Sequence, residues 1–307
     1  IWTCLRPGFT RTVSTHDGSS QMTSFAIAGL QLEAPNGDNT DLVTAEIDAV
    51  VARFPWLDMV LCPELGACGT SKACAEPMPG PREQHYQEVA KRNGIWLIPG
   101  SFFESDGDRI YNTAPVISPA GEVVARHRKL FPYLPYEGGI TPGDQHTVFD
   151  VPGVARFGVS ICYDMWFPET VRALAWQGAE IILHPTLTSS IDRDSELAMV
   201  RAHATQNQVY FLDVNVAGRM GVGESLFVGP GGEILYQAGK TREIMPLKIN
   251  IDYLHEVRRH GWNNLCQPLK SFRDSDVSFP QYEEGYDSDA LRQLGELRMP
   301  VRGEGRN

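Results

Sequence analysis

Apolar positions along the chain form two kinds of run: short continuous ones, typical of buried strands, and longer ones with helical spacing. Within 41–54, Ile47, Val50, Val51 and Phe54 recur at i, i+3, i+4 and i+7, which predicts a helix with one buried face. The first half of the chain predicts strands at 25–32, 59–62 and 95–103, helices at 41–54 and 81–93, and a hairpin of residues 114–118 and 122–128.

The second half repeats this order of elements. It predicts strands at 156–161, 180–183, 209–216 and 244–251, helices at 168–177 and 192–208, and a hairpin of residues 225–228 and 233–237. We therefore expect an α/β fold of two similar halves. Their sheets should pack face to face with the helices outside, as a four-layer α-β-β-α sandwich.

Three regions differ in organisation. Residues 1–21 are polar and predict an irregular N-terminal extension, and Met22, just before the first strand-like run, is interpreted as the natural start. Residues 22–261 carry the α/β pattern and are expected to form one domain. Residues 262–307 predict an extended tail, whose aromatic side chains need a surface to lie on; a partner subunit and the chain's own domain are both open.

Composition and charge narrow the classes of protein. Apolar residues make up 42% of the 307 residues and charged residues 21%, a globular composition that excludes intrinsic disorder. With 27 basic and 38 acidic side chains, the net charge is −11, and the basic patch of a nucleic-acid binder is missing. No apolar run approaches the roughly 18 residues of a membrane span. We expect neither a nucleic-acid nor a membrane partner.

The cysteines do not predict a metal site. Cys62, Cys68 and Cys74 lie six residues apart, unlike the C-x-x-C spacing of zinc ligands. Residues 1–20 lack the basic and then apolar pattern of a secretory signal, which predicts a cytoplasmic protein with reduced thiols. The glycines of 221–225 match neither a dinucleotide-binding motif nor a P-loop, and no cofactor is expected.

Three reactive side chains follow predicted strands. Cys162 stands between a strand and a helix, where backbone N–H groups can stabilise a thiolate or an oxyanion, although many such cysteines are core residues. Glu64 ends a short apolar strand and is a candidate general base, or a surface carboxylate. Lys129 ends the hairpin before an aromatic, proline-rich loop and is a candidate oxyanion-stabilising cation, or a solvated lysine.

The order Glu64, Lys129, Cys162, with the residues around each, resembles the nitrilase superfamily of carbon–nitrogen hydrolases. The resemblance covers roughly residues 25–253 and rests on Pro63-Glu64, on Arg128-Lys129 with 142–144, and on 161–164 with 167–169. It implies that residues 22–261 are a carbon–nitrogen hydrolase domain. It also implies that Glu64 is the general base, Lys129 the oxyanion stabiliser and Cys162 the nucleophile.

The same resemblance implies further site residues. Glu137 corresponds to a second carboxylate that positions the substrate. Tyr133 matches an aromatic residue that walls the acyl pocket, which favours a small acyl group. Tyr163, Trp166 and Thr186 are candidate substrate-binding residues, with core packing as the alternative for each. His184 is a weaker candidate of the same kind.

The resemblance implies a thiol hydrolase that cleaves a small linear amide to a carboxylate and ammonia. Alternatives are an N-carbamoyl-amine amidohydrolase, a nitrilase, and a catalytically silent scaffold of the same fold, although a silent relative would usually lack one of the three reactive residues. The resemblance also implies a homodimer or larger homo-oligomer.

Overall fold

A computed structural model describes residues 23–299 and residue 301. The predicted extension at 1–21, Met22 and the last residues of the predicted tail lie outside the described residues.

The strands are β1 Ser24–Gln31, β2 Met59–Leu61, β3 Trp96–Ile98, β4 Phe102–Asp106, β5 Arg109–Ile117, β6 Val123–Arg128, β7 Thr147–Val151, β8 Ala155–Val159, β9 Ile181–Thr186, β10 Tyr210–Asn215, β11 Leu226–Val228, β12 Ile234–Gln237 and β13 Glu243–Asn250. The helices are α1 Thr40–Arg53, α2 Pro81–Asn93, α3 Pro168–Trp176, α4 Asp192–Asn207, α5 Ile251–His260, α6 Pro268–Arg273 and α7 Asp289–Arg292.

The strands of the described chain form two mixed sheets. The first has the order β13-β1-β2-β3-β5-β4, with β6 also paired to β5, and the second has the order β12-β11-β10-β9-β8-β7. The parallel strands β1, β2 and β3 are joined by α1 and α2, and the parallel strands β8, β9 and β10 by α3 and α4. Parallel neighbours need such crossovers, whereas the outer antiparallel strands need only short connections.

The two sheets pack directly on each other, as the four-layer prediction requires. Alternate residues of each central strand point into the space between the sheets, among them Ile27 and Leu61 from the first sheet and Val159 and Leu212 from the second. The opposite faces are covered by α1 and α2 on one side and by α3 and α4 on the other. The α-β-β-α sandwich of two similar halves is confirmed.

The structure differs from the predicted pattern in three details. The strand expected at 95–103 is two strands, because Gly100 has φ 85° and its backbone passes so close to Pro63 that a Cβ would lie 1.9 Å from the Pro63 carbonyl oxygen. The last strand, β13, pairs with β1 and so completes the sheet of the first half. Strand β7 and helix α5 were not predicted.

The C-terminal segment lies partly on its own domain. Phe272 packs edge-on against Trp176 at the end of α3, and the Tyr282 hydroxyl donates to the Glu169 carboxylate at 2.7 Å. Phe272 and Tyr282 nevertheless stay exposed. Of the helices that the structure describes, none is both long and apolar enough to cross a membrane.

The contact between the two sheets leaves no space for a side chain at Gly29 in β1. A Cβ there would lie 2.5 Å from Phe227 Cζ, 2.8 Å from Met245 Cε and 2.8 Å from Val214 Cγ2. We expect Gly29→Ala to lower the free energy of unfolding by about 1–3 kcal/mol, as overpacked cores do. Urea unfolding measures this loss.

The matched control is Gly239→Ala, because the nearest atom to a Cβ at that position is Glu243 Oε2 at 3.7 Å, an ordinary contact. Equal stability of the two variants would show that the sheets can separate at Gly29 without cost.

Candidate active site

The three reactive side chains predicted from the sequence meet at one place. Glu64 follows β2, Lys129 directly follows β6, and Cys162 begins a 3₁₀ helix three residues after β8. Glu64 and Lys129 belong to the first sheet and Cys162 to the second, so the site forms where the two sheets face each other. All three side chains are buried.

Cys162 lies on a sharp turn. Its φ is 46°, in the left-handed region that non-glycine residues rarely adopt, and it opens the 3₁₀ helix Cys162–Trp166. A non-glycine residue held in this region has a strained backbone, and such strained residues cluster at functional sites. The first N–H groups of a helix have no acceptor in a preceding turn, and here the Asp164 N–H donates to the Ile161 carbonyl oxygen at 3.0 Å.

Lys129 is shared by two carboxylates. Its Nζ lies 3.0 Å from Glu64 Oε1 and 2.9 Å from Glu137 Oε2. The Asn112 side-chain amide donates to Glu64 Oε1 at 2.7 Å, and the neighbouring Cys162 thiol lowers the pKa of the Glu64 carboxyl. The Tyr133 backbone N–H donates to Glu137 Oε2 at 2.6 Å, which anchors the aromatic loop to the same cluster.

Burial sets the protonation of the cluster. It raises the pKa of the Glu64 carboxyl, against the opposing effect of the Lys129 cation, and the Glu137 charge raises it further. Burial and then the Glu64 charge raise the pKa of the Cys162 thiol well above its usual range. Burial alone would lower the pKa of Lys129, but Cys162, Glu64 and Glu137 together raise it. The resting site therefore holds a neutral thiol beside an ammonium and a carboxyl of raised pKa.

Two buried residues that were not predicted to belong to the site hold the cluster in place. Asp164 accepts from the Ile161 N–H at 2.9 Å, from the Phe131 N–H at 2.8 Å and pairs with His127 Nε2 at 3.1 Å. It thereby ties the turn of Cys162 to the loop that follows Lys129. Asn112 holds Glu64. The sequence offered no signal for Asn112, whose contact with Glu64 joins residues 48 positions apart in the chain.

The cluster lies at the floor of a cavity of about 800 Å³. Its walls include Tyr133, Tyr163 and Trp166, as the sequence predicted for these three side chains. Thr186 is a correction: it is buried in β9, and the chain reaches the cavity only after the strand ends, at 187–192. Among these later residues, Thr188 donates to Glu196, which also lines the cavity.

His184 does not reach the cavity. It is fully buried in β9, where its Nδ1 pairs with the Ser160 hydroxyl at 3.2 Å and its ring packs near Phe211. Within the described part of the chain, no group of His, Cys, Asp and Glu side chains is arranged to hold a metal ion.

The fold and this arrangement agree with comparisons to known proteins. The sequence profile of the family described as carbon-nitrogen hydrolase matches residues 26–259. The chain therefore belongs to the carbon–nitrogen hydrolase family, the nitrilase superfamily, and is a hydrolase of carbon–nitrogen bonds other than peptide bonds.

Individual relatives are amidases or other members of this superfamily. The chain is 31% identical to omega-amidase NIT2 of Homo sapiens over 260 residues, covering 78% of this chain and 93% of the relative. Nit3 of Saccharomyces cerevisiae superposes with a TM-score of 0.72 at 26% identity, covering 77% of this chain and 94% of that one. An amidase from Nesterenkonia sp. AN1 superposes with a TM-score of 0.67 at 26% identity, covering 76% and 94%.

Acidification should destabilise the fold through His184. Burial lowers the pKa of His184 from 6.5 to about 3, so the folded state keeps the ring neutral while the unfolded state takes up a proton below pH 6.5. The stability from the neutral ring is complete above pH 6.5 and declines as pH falls towards 3. We expect His184→Gln to flatten the pH dependence of the unfolding free energy by up to about 1.4 kcal/mol per pH unit.

Urea unfolding at several pH values between 4 and 7 measures this slope. His260→Gln, at an exposed position of α5, is the matched control and should keep the wild-type slope. An unchanged slope in His184→Gln would show that the buried imidazole does not set the acid sensitivity.

Proposed function

We propose that the chain is a thiol amidase that hydrolyses a small linear amide to a carboxylate and ammonia through a thioester on Cys162. The observation that carries the proposal is the meeting of Cys162, Glu64 and Lys129 at the floor of one cavity. An amide is a weak electrophile, and a thiolate formed at the moment of attack is a strong nucleophile.

In the first half-reaction, Glu64 takes the Cys162 proton as Sγ attacks the amide carbonyl carbon. The carbonyl electron pair moves onto the oxygen, which the Lys129 ammonium and the Tyr163 backbone N–H stabilise. When the carbonyl re-forms, the carbon–nitrogen bond breaks and Glu64 returns the proton to the nitrogen, so ammonia leaves and a thioester remains. A carboxyl whose pKa is raised towards the operating pH suits this exchange, because it can accept the thiol proton and then return it to the nitrogen.

In the second half-reaction, Glu64 takes a proton from water, and the oxygen of that water attacks the thioester carbon. The tetrahedral intermediate again places its oxyanion on Lys129 and the Tyr163 N–H. Collapse breaks the carbon–sulfur bond, Glu64 returns the proton to the sulfur, and the carboxylic acid departs and loses its own proton to solvent to become the carboxylate. Because Lys129 Nζ lies 3.0 Å from Glu64 Oε1, the same ammonium is next to the general base in both half-reactions.

We assign Glu137 a supporting part. It accepts from Lys129 Nζ at 2.9 Å and from the Tyr133 N–H at 2.6 Å, so it keeps both the cation and the aromatic wall in position. Tyr133, Tyr163 and Trp166 would enclose the acyl chain of the substrate. The Tyr133 and Tyr163 rings lie edge to face at 4.9 Å and narrow the cavity above the thiol.

The relatives favour an amide as the substrate. Several curated relatives are omega-amidases, and the Nesterenkonia amidase has been solved with butyramide bound. Another structure of that amidase carries the acetamide moiety of fluoroacetamide at its active-site cysteine. A carbamoyl-amine or a nitrile could reach the same thiol and are the alternative substrates. A homo-oligomeric state, which the family resemblance implies, and the cytoplasmic location predicted in the sequence analysis complete the proposal.

The proposal predicts ammonia release from small amides. We expect the purified protein to release ammonia from short aliphatic and ω-monoamides faster than from N-carbamoyl-amines or matched nitriles, and Cys162→Ala to release none. A coupled ammonia assay measures this, with circular dichroism to show that the variant is folded. Faster turnover of nitriles, or full activity in Cys162→Ala, would contradict the proposal, and no turnover of any class would favour the silent scaffold.

The roles of the two charged residues predict separate losses. We expect Glu64→Gln and Lys129→Ala each to lower kcat by at least about 10²-fold, as the removal of a positioned base or oxyanion donor does. Because Glu64 must start ionised, activity should rise with pH through its raised pKa, above the ordinary value of 4.5. Steady-state kinetics across pH measure both effects.

Arg109→Ala serves as the control, since Arg109 is exposed in β5 and lies outside the cavity wall. A loss below tenfold in Glu64→Gln or Lys129→Ala would remove that residue from the mechanism.

A further inference from the structure

The proposed mechanism leaves two thiols next to the cavity unused. Cys68 and Cys74 lie on the segment between β2 and α2, and the Cys68 thiol donates to the Gly69 carbonyl oxygen at 3.3 Å. Cys74 Sγ also lies 3.5 Å from the Cys68 carbonyl oxygen and 2.7 Å from the Ser71 carbonyl oxygen. The 3₁₀ helix Lys72–Cys74 brings the chain back over Cys68.

The two thiols have unequal surroundings. Cys68 is 1% exposed, whereas Cys74 is partly exposed, so a small reagent in solution meets Cys74 first. The neighbouring Cys68 thiol and, less strongly, the Arg82 cation lower the pKa of the Cys74 thiol to about 7, despite partial burial. The neighbouring Cys74 thiol and burial raise the pKa of Cys68. Cys74 is therefore the thiol of the pair that ionises more readily.

The segment that carries both thiols is also a wall of the cavity. Leu65, Thr70 and Lys72 line it, and Lys72 Nζ donates to the Gly138 carbonyl oxygen at 2.6 Å, next to Glu137. A disulfide holds its two sulfurs about 2.0 Å apart, closer than two thiols that are not bonded. Forming one would shift the chain between Cys68 and Cys74, which includes the cavity-lining Thr70 and Lys72.

We propose that Cys68 and Cys74 are a redox-active pair that a peroxide converts to a disulfide, and that this reshapes the wall of the substrate cavity. The Cys74 thiolate attacks the peroxide, the O–O bond breaks to release water or an alcohol, and Cys74 becomes a sulfenic acid. The Cys68 sulfur then attacks the Cys74 sulfur, and the hydroxyl leaves as water with the Cys68 proton. The two electrons reduce the peroxide, and a dithiol reductant reverses the change.

Peptide mapping tests the disulfide without relying on the proposed amidase activity. The test uses full-length Cys162→Ala protein, so that the nucleophile cannot be oxidised, treated with stoichiometric hydrogen peroxide. Trypsin cleaves after Lys72, between the two cysteines, so we expect a linked pair of the peptides 54–72 and 73–82 that dithiothreitol separates. The intact mass should fall by about 2 Da, the two hydrogens lost when a disulfide forms.

Peptide 54–72 also contains Cys62, so two further variants identify the partner. In the Cys162→Ala background, Cys62→Ala should keep the link and Cys68→Ala should abolish it. A link that survives in Cys68→Ala, or oxidation of Cys74 to a sulfinic acid with no link, would overturn the proposal.

Kinetics test the effect on the cavity. Wild type and Cys74→Ser are treated with peroxide, quenched with catalase and assayed with a substrate amide. We expect KM to rise at least about threefold in wild type, to recover with dithiothreitol and to stay unchanged in Cys74→Ser, whereas oxidation of Cys162 would lower kcat in both proteins. An equal KM in both proteins would show that the disulfide leaves the cavity unaltered.

Discussion

The attraction of one buried ammonium for two carboxylates organises this protein. Lys129 lies within 3.0 Å of Glu64 and 2.9 Å of Glu137, and removing the lysine would leave the buried Glu64 and the half-buried Glu137 without their cation. Because Glu64 and Lys129 come from strands of the same sheet and Glu137 from the loop beyond, the ion cluster fixes how that loop lies over the cavity. The Cys162 turn then meets the cluster from the opposing sheet.

The sandwich supplies the rigidity that such a cluster needs. Buried charges are costly to separate from water, and the cost is recovered only when partners are held at good geometry. Close packing at Gly29 keeps the two sheets in register, and Asp164 joins the nucleophile turn to the Lys129 loop through backbone hydrogen bonds. Fold and chemistry therefore depend on the same contacts between the two halves.

The surroundings of each titratable group explain why the pKa values of Cys162, Glu64 and Cys74 shift in different directions. A dry floor keeps the Cys162 thiol neutral until a base removes its proton, and the neighbouring carboxyl has a raised pKa that suits this exchange. Cys74, on the half-exposed segment beside the cavity, shows the opposite shift: the neighbouring Cys68 thiol and the Arg82 cation lower its thiol pKa to about 7. Cys162 in the cavity and Cys74 beside it thus differ in thiol pKa, because burial and the Glu64 charge raise the first, whereas the Cys68 thiol and the Arg82 cation lower the second.

The apolar periodicity alone determined the α/β layering, and the positions of Glu64, Lys129 and Cys162 followed from local rules, because each stands just after a predicted strand, where side chains leave a sheet. Tertiary structure decided the rest. Asn112 and Asp164 belong to the site through contacts between residues far apart in sequence. Strand β13 joins the sheet of the first half. Strand β9 continues through Thr186, so the segment after it lines the cavity only from Leu187 onwards. Such pairings depend on which surfaces meet in space, and periodicity along the chain carries no record of them.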